Sequence, residues 1–155
     1  MEAALFHDED PSATEKSLVS AATLYIVSTP IGNLADITYR AVAILKQVDL
    51  IAAEDTRTSR ILLDQYGIST AMISYHDFNE DRATPDLIRR LKQGLSIALI
   101  TDAGTPGISD PAFYLIRAAL QENLAVCAIP GPTALIPALL LSGLPCERFS
   151  FEGFL

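Results

Sequence analysis

The chain has 155 residues, half of them hydrophobic, enough to bury one core, and one domain is the expected count. A net charge of −8 argues against a general polyanion binder, and no apolar run approaches the roughly 18 residues that span a membrane. The two cysteines, Cys127 and Cys146, stand apart among apolar residues. They read as small buried hydrophobes of a reduced, cytoplasmic protein, not as a metal site or a disulfide framework.

Residues 1–20 carry Glu2, Asp8, Glu9, Asp10 and Glu15 against Lys16 alone, with no periodic apolar pattern, and are expected to form a disordered acidic leader. Acidic and without an apolar core, this segment is neither a secretory signal nor a transit peptide. Leu24 to Val27 reads as a buried strand entering the loop Ser28 to Asp36 (STPIGNLAD), and Thr38 to Gln47 as a helix with Ala41, Val42, Ile44 and Leu45 on its apolar stripe. Asp49 to Ala53 is the second strand and Thr58 to Tyr66 the second helix, stopped by Gly67. Ala71 to Ser74 is a short third strand, followed by polar residues His76 to Arg82. Thr84-Pro85-Asp86 predicts the start of a third helix that runs to Gln93.

The fourth strand, Ser96 to Thr101, enters the loop Asp102 to Pro111 (DAGTPGISDP), with Asp110-Pro111 as cap and first residue of a helix reaching about Glu122. Ala125 to Ile129 is the fifth strand, and Pro130-Gly131-Pro132-Thr133 opens a last helix to Ser142. Strands alternating with helices at this spacing predict an α/β domain with a five-stranded, mostly parallel sheet and helices on both faces. After Gly143-Leu144-Pro145 the chain enters the alternating aromatic segment Arg148 to Leu155 (RFSFEGFL), which reads as the passage towards a second domain. The domain is accordingly assigned to residues 21–150 and the start of a linker to 151–155. Without that second domain, Phe149, Phe151 and Phe154 would form an apolar patch.

Three strand-to-helix loops hold much of the glycine and proline: Ser28 to Asp36, Asp102 to Pro111 and Pro130 to Thr133. In a parallel sheet all three open on the same edge, where backbone N–H groups and helix N-termini favour a ligand with an anionic group. The dinucleotide fingerprint GxGxxG is absent, since the first loop has only Gly32, and so is a Walker lysine. A standard Rossmann dehydrogenase or P-loop nucleotidase is thereby set aside. Glu54, Asp55 and Arg57 follow strand two; His76, Asp77, Asn79 and Glu80 follow strand three. Either group serves substrate positioning or proton transfer, or a structural ion pair and a cap. No metal-ligand spacing is present. Eight of the eleven Lys and Arg residues fall between Arg40 and Lys92, a local basic surface, although solvated helix faces are the plainer reading for Arg89, Arg90 and Lys92.

STPIGNLADIT (Ser28 to Thr38), AAEDTRTS (Ala52 to Ser59), HDFNE (His76 to Glu80), TDAGTPGISDP (Thr101 to Pro111) and PGPTA (Pro130 to Ala134) together resemble one family. It is the ribosomal small-subunit methyltransferases that methylate the 2′-hydroxyl of a cytidine in 16S rRNA, members of the tetrapyrrole-methylase superfamily. The resemblance covers about Leu24 to Leu155 and matches the first of the family's two domains. It implies S-adenosyl-L-methionine as donor in the cleft between domains, a homodimer, and 16S rRNA, in the small ribosomal subunit, as partner. Carried over by position, Pro30, Gly32 and Asn33 would shape the first loop; Asp102, Gly104, Thr105, Pro106 and Ile108 would contact the donor, with Pro130, Gly131 and Thr133 beside them. The superfamily's first loop is usually richer in glycine than Ser28 to Asn33. The chemistry implied needs no metal. Glu54 or Asp55 would orient or deprotonate the hydroxyl, Arg57 would hold a phosphate, and His76 is the competing base. Alternatives are a superfamily enzyme acting on a tetrapyrrole or a diphthamide intermediate, and a half-domain that binds the donor weakly and catalyses nothing.

Overall fold

Alternation along each strand places apolar side chains on both faces of a sheet, so each face needs its own helices. In the computed structural model, which describes residues 17–108 and 112–153, this requirement sets the architecture. The strands are β1 (Thr23–Val27), β2 (Leu50–Ala53), β3 (Met72–Ser74), β4 (Ile97–Ile100) and β5 (Ala125–Ile129). The helices are α1 (Tyr39–Gln47), α2 (Thr56–Gln65), α3 (Glu80–Lys92), α4 (Ala112–Gln121) and α5 (Leu135–Leu141). The sheet order is β3-β2-β4-β1-β5 and every pairing is parallel. This is the α/β sheet expected, and its order differs from the 3-2-1-4-5-6 of the standard dinucleotide-binding fold.

Tyr25, Val27, Ile51, Ala53, Ala98 and Ile100 pack with Ala41, Ile44 and Leu45 of α1 and Leu62 and Leu63 of α2. The alternate residues Leu24, Ile26, Leu50, Ala52, Ile97 and Leu99 pack with Leu87, Ile88 and Leu91 of α3 and Leu115 and Ala119 of α4. Each fully buried Leu or Ile contributes about 1.5–3 kcal/mol of transfer free energy, so the two clusters fix which helix covers which face.

Several boundaries follow local chemistry. Thr38 caps α1, its hydroxyl accepting from Ala41 N–H, and Asp55 caps α2 two residues earlier than the apolar pattern indicates. Gly67 has φ +59, the left-handed conformation of a helix-terminating glycine. The expected start of the third helix at Thr84-Pro85-Asp86 is wrong. The helix begins at Glu80, and Pro85 lies inside it. The turn before it is closed by Asn79, whose Oδ1 accepts from His76 N–H at 2.9 Å and whose Nδ2 donates to Ser74 O at 3.1 Å. Glu80 and Asp81 then complement the helix dipole. Thr84, instead of capping, shares a 2.9 Å hydrogen bond with the buried Tyr75 hydroxyl.

The expectation of buried cysteines also fails: Cys127 and Cys146 are both exposed. Cys127 lies on the edge strand β5, whose Ala125, Cys127 and Ala128 are exposed, and α5 buries no residue. Leu140, Leu141, Leu144, Phe149 and Phe151 are exposed as well. Phe154 and the Asp110-Pro111 cap lie outside the described residues, as do residues 1–16 of the acidic leader. Ser17 to Ser20 are held against the domain, with Leu18 N–H donating to Gln47 Oε1 at 3.0 Å and Ser20 N–H to the Tyr25 hydroxyl at 2.8 Å. Among the described residues no helix is long and apolar enough to cross a membrane.

Candidate functional site

The strand order decides where a crevice opens. The helices leaving β1 and β2 cover one face of the sheet, whereas α4, which follows β4, covers the other. Because β4 lies between β2 and β1, neighbouring chains diverge on either side of the β4 loop, the position where parallel sheets bind ligands. The register finishes the strands level: Val27 lies beside Ile129, and Ala53 beside both Ser74 and Ile100.

The three glycine- and proline-bearing loops lock together at this edge. Thr29 N–H donates to Gly104 O at 2.9 Å and Gly104 N–H returns a bond to Thr29 O at 3.1 Å. The buried Thr29 hydroxyl donates to Thr101 O at 2.9 Å, and the Ser28 and Thr105 hydroxyls meet at 2.9 Å. Gly131 comes so close to the first loop that a Cβ there would stand 2.8 Å from Ser28 Cβ. Gly104, at φ +84, would direct a Cβ to 3.5 Å from Ile31 Cγ2 and 4.0 Å from Pro132 O.

Gly104, Thr105, Ile108 and Thr133 line a cleft of about 480 Å³ with Ile31 and Phe151. Pro130, Gly131 and Thr133 line an adjoining hollow of about 620 Å³ with Ile31, Asp36 and Thr38. Pro30, Gly32 and Asp102 border a smaller hollow of about 230 Å³ on the α2 side, together with Ser59, whose buried hydroxyl has no hydrogen-bond partner among the described residues. Pro106 is buried. Asn33 faces outwards, and its Oδ1 accepts from Ala35 N–H at 3.0 Å to cap a short 3-10 turn. Ser28, Thr29, Ile31 and Thr101 were not singled out from the sequence. The available signal was an apolar residue flanked by Pro30 and Gly32 in a loop, and hydroxyls at the ends of apolar strands.

The polar residues join the loops through Asp102. Glu54 accepts from the Thr101 hydroxyl and, at 3.2 Å, from Asp102 N–H; Asp102 Oδ1 accepts from Asp55 N–H at 3.2 Å. Although Asp102 is exposed at the rim, crowding by the loops holds its carboxyl above the usual carboxylate range. The charges of Glu54 and Asp55 add to this, while the Asp55 N–H opposes it. Asp55 has the opposite environment. It accepts from Arg57 N–H at 2.8 Å and from the guanidinium at 3.0 and 3.3 Å, and these bonds hold its carboxyl below the usual range. The Arg57 side chain is 90% exposed.

His76 stands at the end of the edge strand β3, apart from the loop cluster. Its Nδ1 accepts from Phe78 N–H at 3.2 Å, and its ring meets that of Phe78 edge to face. Arg89 and Arg90 pair with Asp86, and Lys92 with Glu122, as solvated helix faces. Among the described residues no group of three or more His, Cys, Asp and Glu is placed to hold a metal ion.

Fold and site define an open parallel α/β domain with an interlocked loop cleft at the topological switch point. The chain belongs to the tetrapyrrole (corrin/porphyrin) methylase family, whose pattern matches residues 23–154. It is 57% identical over 132 residues to the ribosomal RNA small subunit methyltransferase I of Pasteurella multocida, covering 85% of this chain and 47% of that protein. It is 51% identical over 136 residues to the protein of the same name from Escherichia coli O157:H7, covering 88% and 48%. The chain thus spans about half the length of these relatives. Among solved structures, a uroporphyrin-III-C-methyltransferase from Thermus thermophilus shares the fold at TM-score 0.59 and 19% identity, covering 82% of this chain and 54% of that one. A conserved hypothetical protein from Aeropyrum pernix K1 does so at TM-score 0.65 and 20% identity, covering 84% and 46%.

Proposed function

We propose that this chain is the donor-binding half of an S-adenosylmethionine-dependent methyltransferase acting on the ribose 2′-hydroxyl of a cytidine in 16S rRNA. The observation that carries the reading is the cleft built on three interlocked loops, in a chain 57% identical to a protein named for small-subunit rRNA methylation. The donor fits the residues present. Gly104, at φ +84, carries the loop past Ile31 and the Pro132 carbonyl in a backbone conformation that favours glycine, and the cleft's volume is that of a small-molecule site. Gly104, Thr105, Ile108, Gly131 and Thr133 would hold the donor, with Ile31 as an apolar wall.

When bound, S-adenosylmethionine would supply a methyl group already activated by its sulfonium, the S–CH3 bond breaking to leave a neutral thioether, and the hydroxyl proton would go to a base or to water. The chain's own contribution is to orient that hydroxyl and accept its proton. Asp55 is a poor base, because its oxygens serve α2 and Arg57 and its carboxyl is held low. Asp102, held high and directly beside the cleft loops, is the better acceptor. Glu54 positions it through Asp102 N–H and the Thr101 hydroxyl.

The reading is tested by methyl transfer from labelled donor to unmodified small ribosomal subunits, using this chain joined to the remaining half of the Pasteurella multocida relative. Label recovered as 2′-O-methylcytidine is the expected result. Label on a base carbon, or on a tetrapyrrole in place of RNA, overturns it.

A further inference from the structure

A phenylalanine in water gives up the transfer free energy that burial would return, yet Phe78 is 97% exposed on a turn that is fixed from several directions. Below the turn, Tyr75 is buried and hydrogen-bonded to Thr84 of α3. Asn79 ties the turn to Ser74 O and His76 N–H, and the Phe78 N–H is itself held by His76 Nδ1. The ring therefore stands out from a braced backbone, with the imidazole of His76 against its edge at a centroid distance of 6.0 Å. The turn follows β3 at the level edge where Glu54 and Asp55 follow β2 and Asp102 follows β4. A solvent-facing aromatic on a braced backbone, at the same sheet edge as a polar site, is the arrangement that captures an unstacked base in single-stranded nucleic acid.

We infer that Phe78, braced by His76 and Asn79, is a stacking platform for a nucleobase of the RNA acceptor, flanking the nucleotide that enters the site. The inference rests on the RNA reading of the proposed function and deepens it. The occupant is a base face and not a phosphate, because Phe78 offers a flat apolar ring with no hydrogen-bond donor, and its near neighbours in the chain are Asp77, Glu80 and Asp81 with Arg82 as the one nearby cation. Phe78 is thus a positioning residue that acts on the acceptor and leaves the donor cleft untouched.

The sequence holds no tryptophan, so Phe78→Trp places a single reporter at the platform. A single-stranded RNA oligonucleotide is expected to quench its emission, and an abasic oligonucleotide of equal charge to leave it unchanged. Phe78→Ala is expected to weaken RNA affinity roughly 5–150-fold, the range of one lost base–aromatic stack. Its melting temperature and donor affinity should stay at the level of the parent chain, since a fully exposed ring supports no packing. RNA binding without quenching, equal quenching by the abasic strand, or unchanged RNA affinity in Phe78→Ala overturns the platform while leaving the methyltransferase reading in place. Failure of the parent chain to bind RNA both alone and when joined to the remaining half of the Pasteurella multocida relative overturns both.

Discussion

At Gly131 one hydrogen decides whether three loops fit together: an alanine would put a methyl carbon 2.8 Å from Ser28 Cβ, closer than real Cβ contacts occur. Asp102 is the other residue on which the site turns. A carboxyl whose folded pKa is raised favours folding while protonated. That stability is present below the unfolded value of 3.8 and is lost as pH rises through the folded value. Ionised Asp102 therefore costs stability at neutral pH, a cost that structures bear at functional sites. Asp102→Asn keeps an oxygen for Asp55 N–H and removes the charge. It is expected to raise the melting temperature at pH 7, with the gain vanishing below about pH 3.8, while methyl transfer falls. A lower melting temperature at pH 7 would show that the carboxylate is held by favourable contacts instead.

Among the elements, α3 carries the clearest local conflict. Pro85 is its sixth residue, where the missing N–H and the ring oppose a regular helix, yet the helix runs unbroken from Glu80 to Lys92. The packing of Leu87, Ile88 and Leu91 against the sheet overrides the proline. Pro85→Ala is expected to raise unfolding free energy by about 1–2 kcal/mol in urea titration, the helical gain less the lost rigidity of the unfolded chain. A loss of stability would place Pro85 in a contact that α3 needs. This conflict is also why the start of α3 was not legible in the sequence: Thr-Pro-Asp has the chemistry of a helix start, and the competing Asn79 turn depends on a bond back to Ser74. The remaining strands and helices were legible, because each carries its own apolar run or stripe, and α1 and α2 add a cap or a glycine at an end. The exposure of Cys127 was not, since an edge strand with one face uncovered has the same apolar sequence as a buried one.

On the scale of the molecule, the parallel order β3-β2-β4-β1-β5 sets up a division along one edge. The loops after β4, β1 and β5 interlock into a glycine-floored cleft, while β3 and β2 end in His76, Glu54, Asp55 and the exposed Arg57 and Phe78. The sequence made the loops visible through their glycines and prolines, and the parallel pattern put them on one side. It did not show that Asp102 links the two halves of the edge, because that link joins strands 47 positions apart. The proposed function puts the donor at the cleft and the acceptor at the polar end.

Calorimetric titration of S-adenosylmethionine into the parent chain and into Gly131→Ala tests the central claim, that the interlocked loops are the donor site. Saturable heat from the parent and affinity lower by at least about fivefold in the variant, both chains melting cooperatively, is the result predicted, because relieving the 2.8 Å contact must move the first and third loops out of the donor-binding arrangement. A folded parent chain that gives no binding heat, or a folded variant that binds as tightly as the parent, would contradict it.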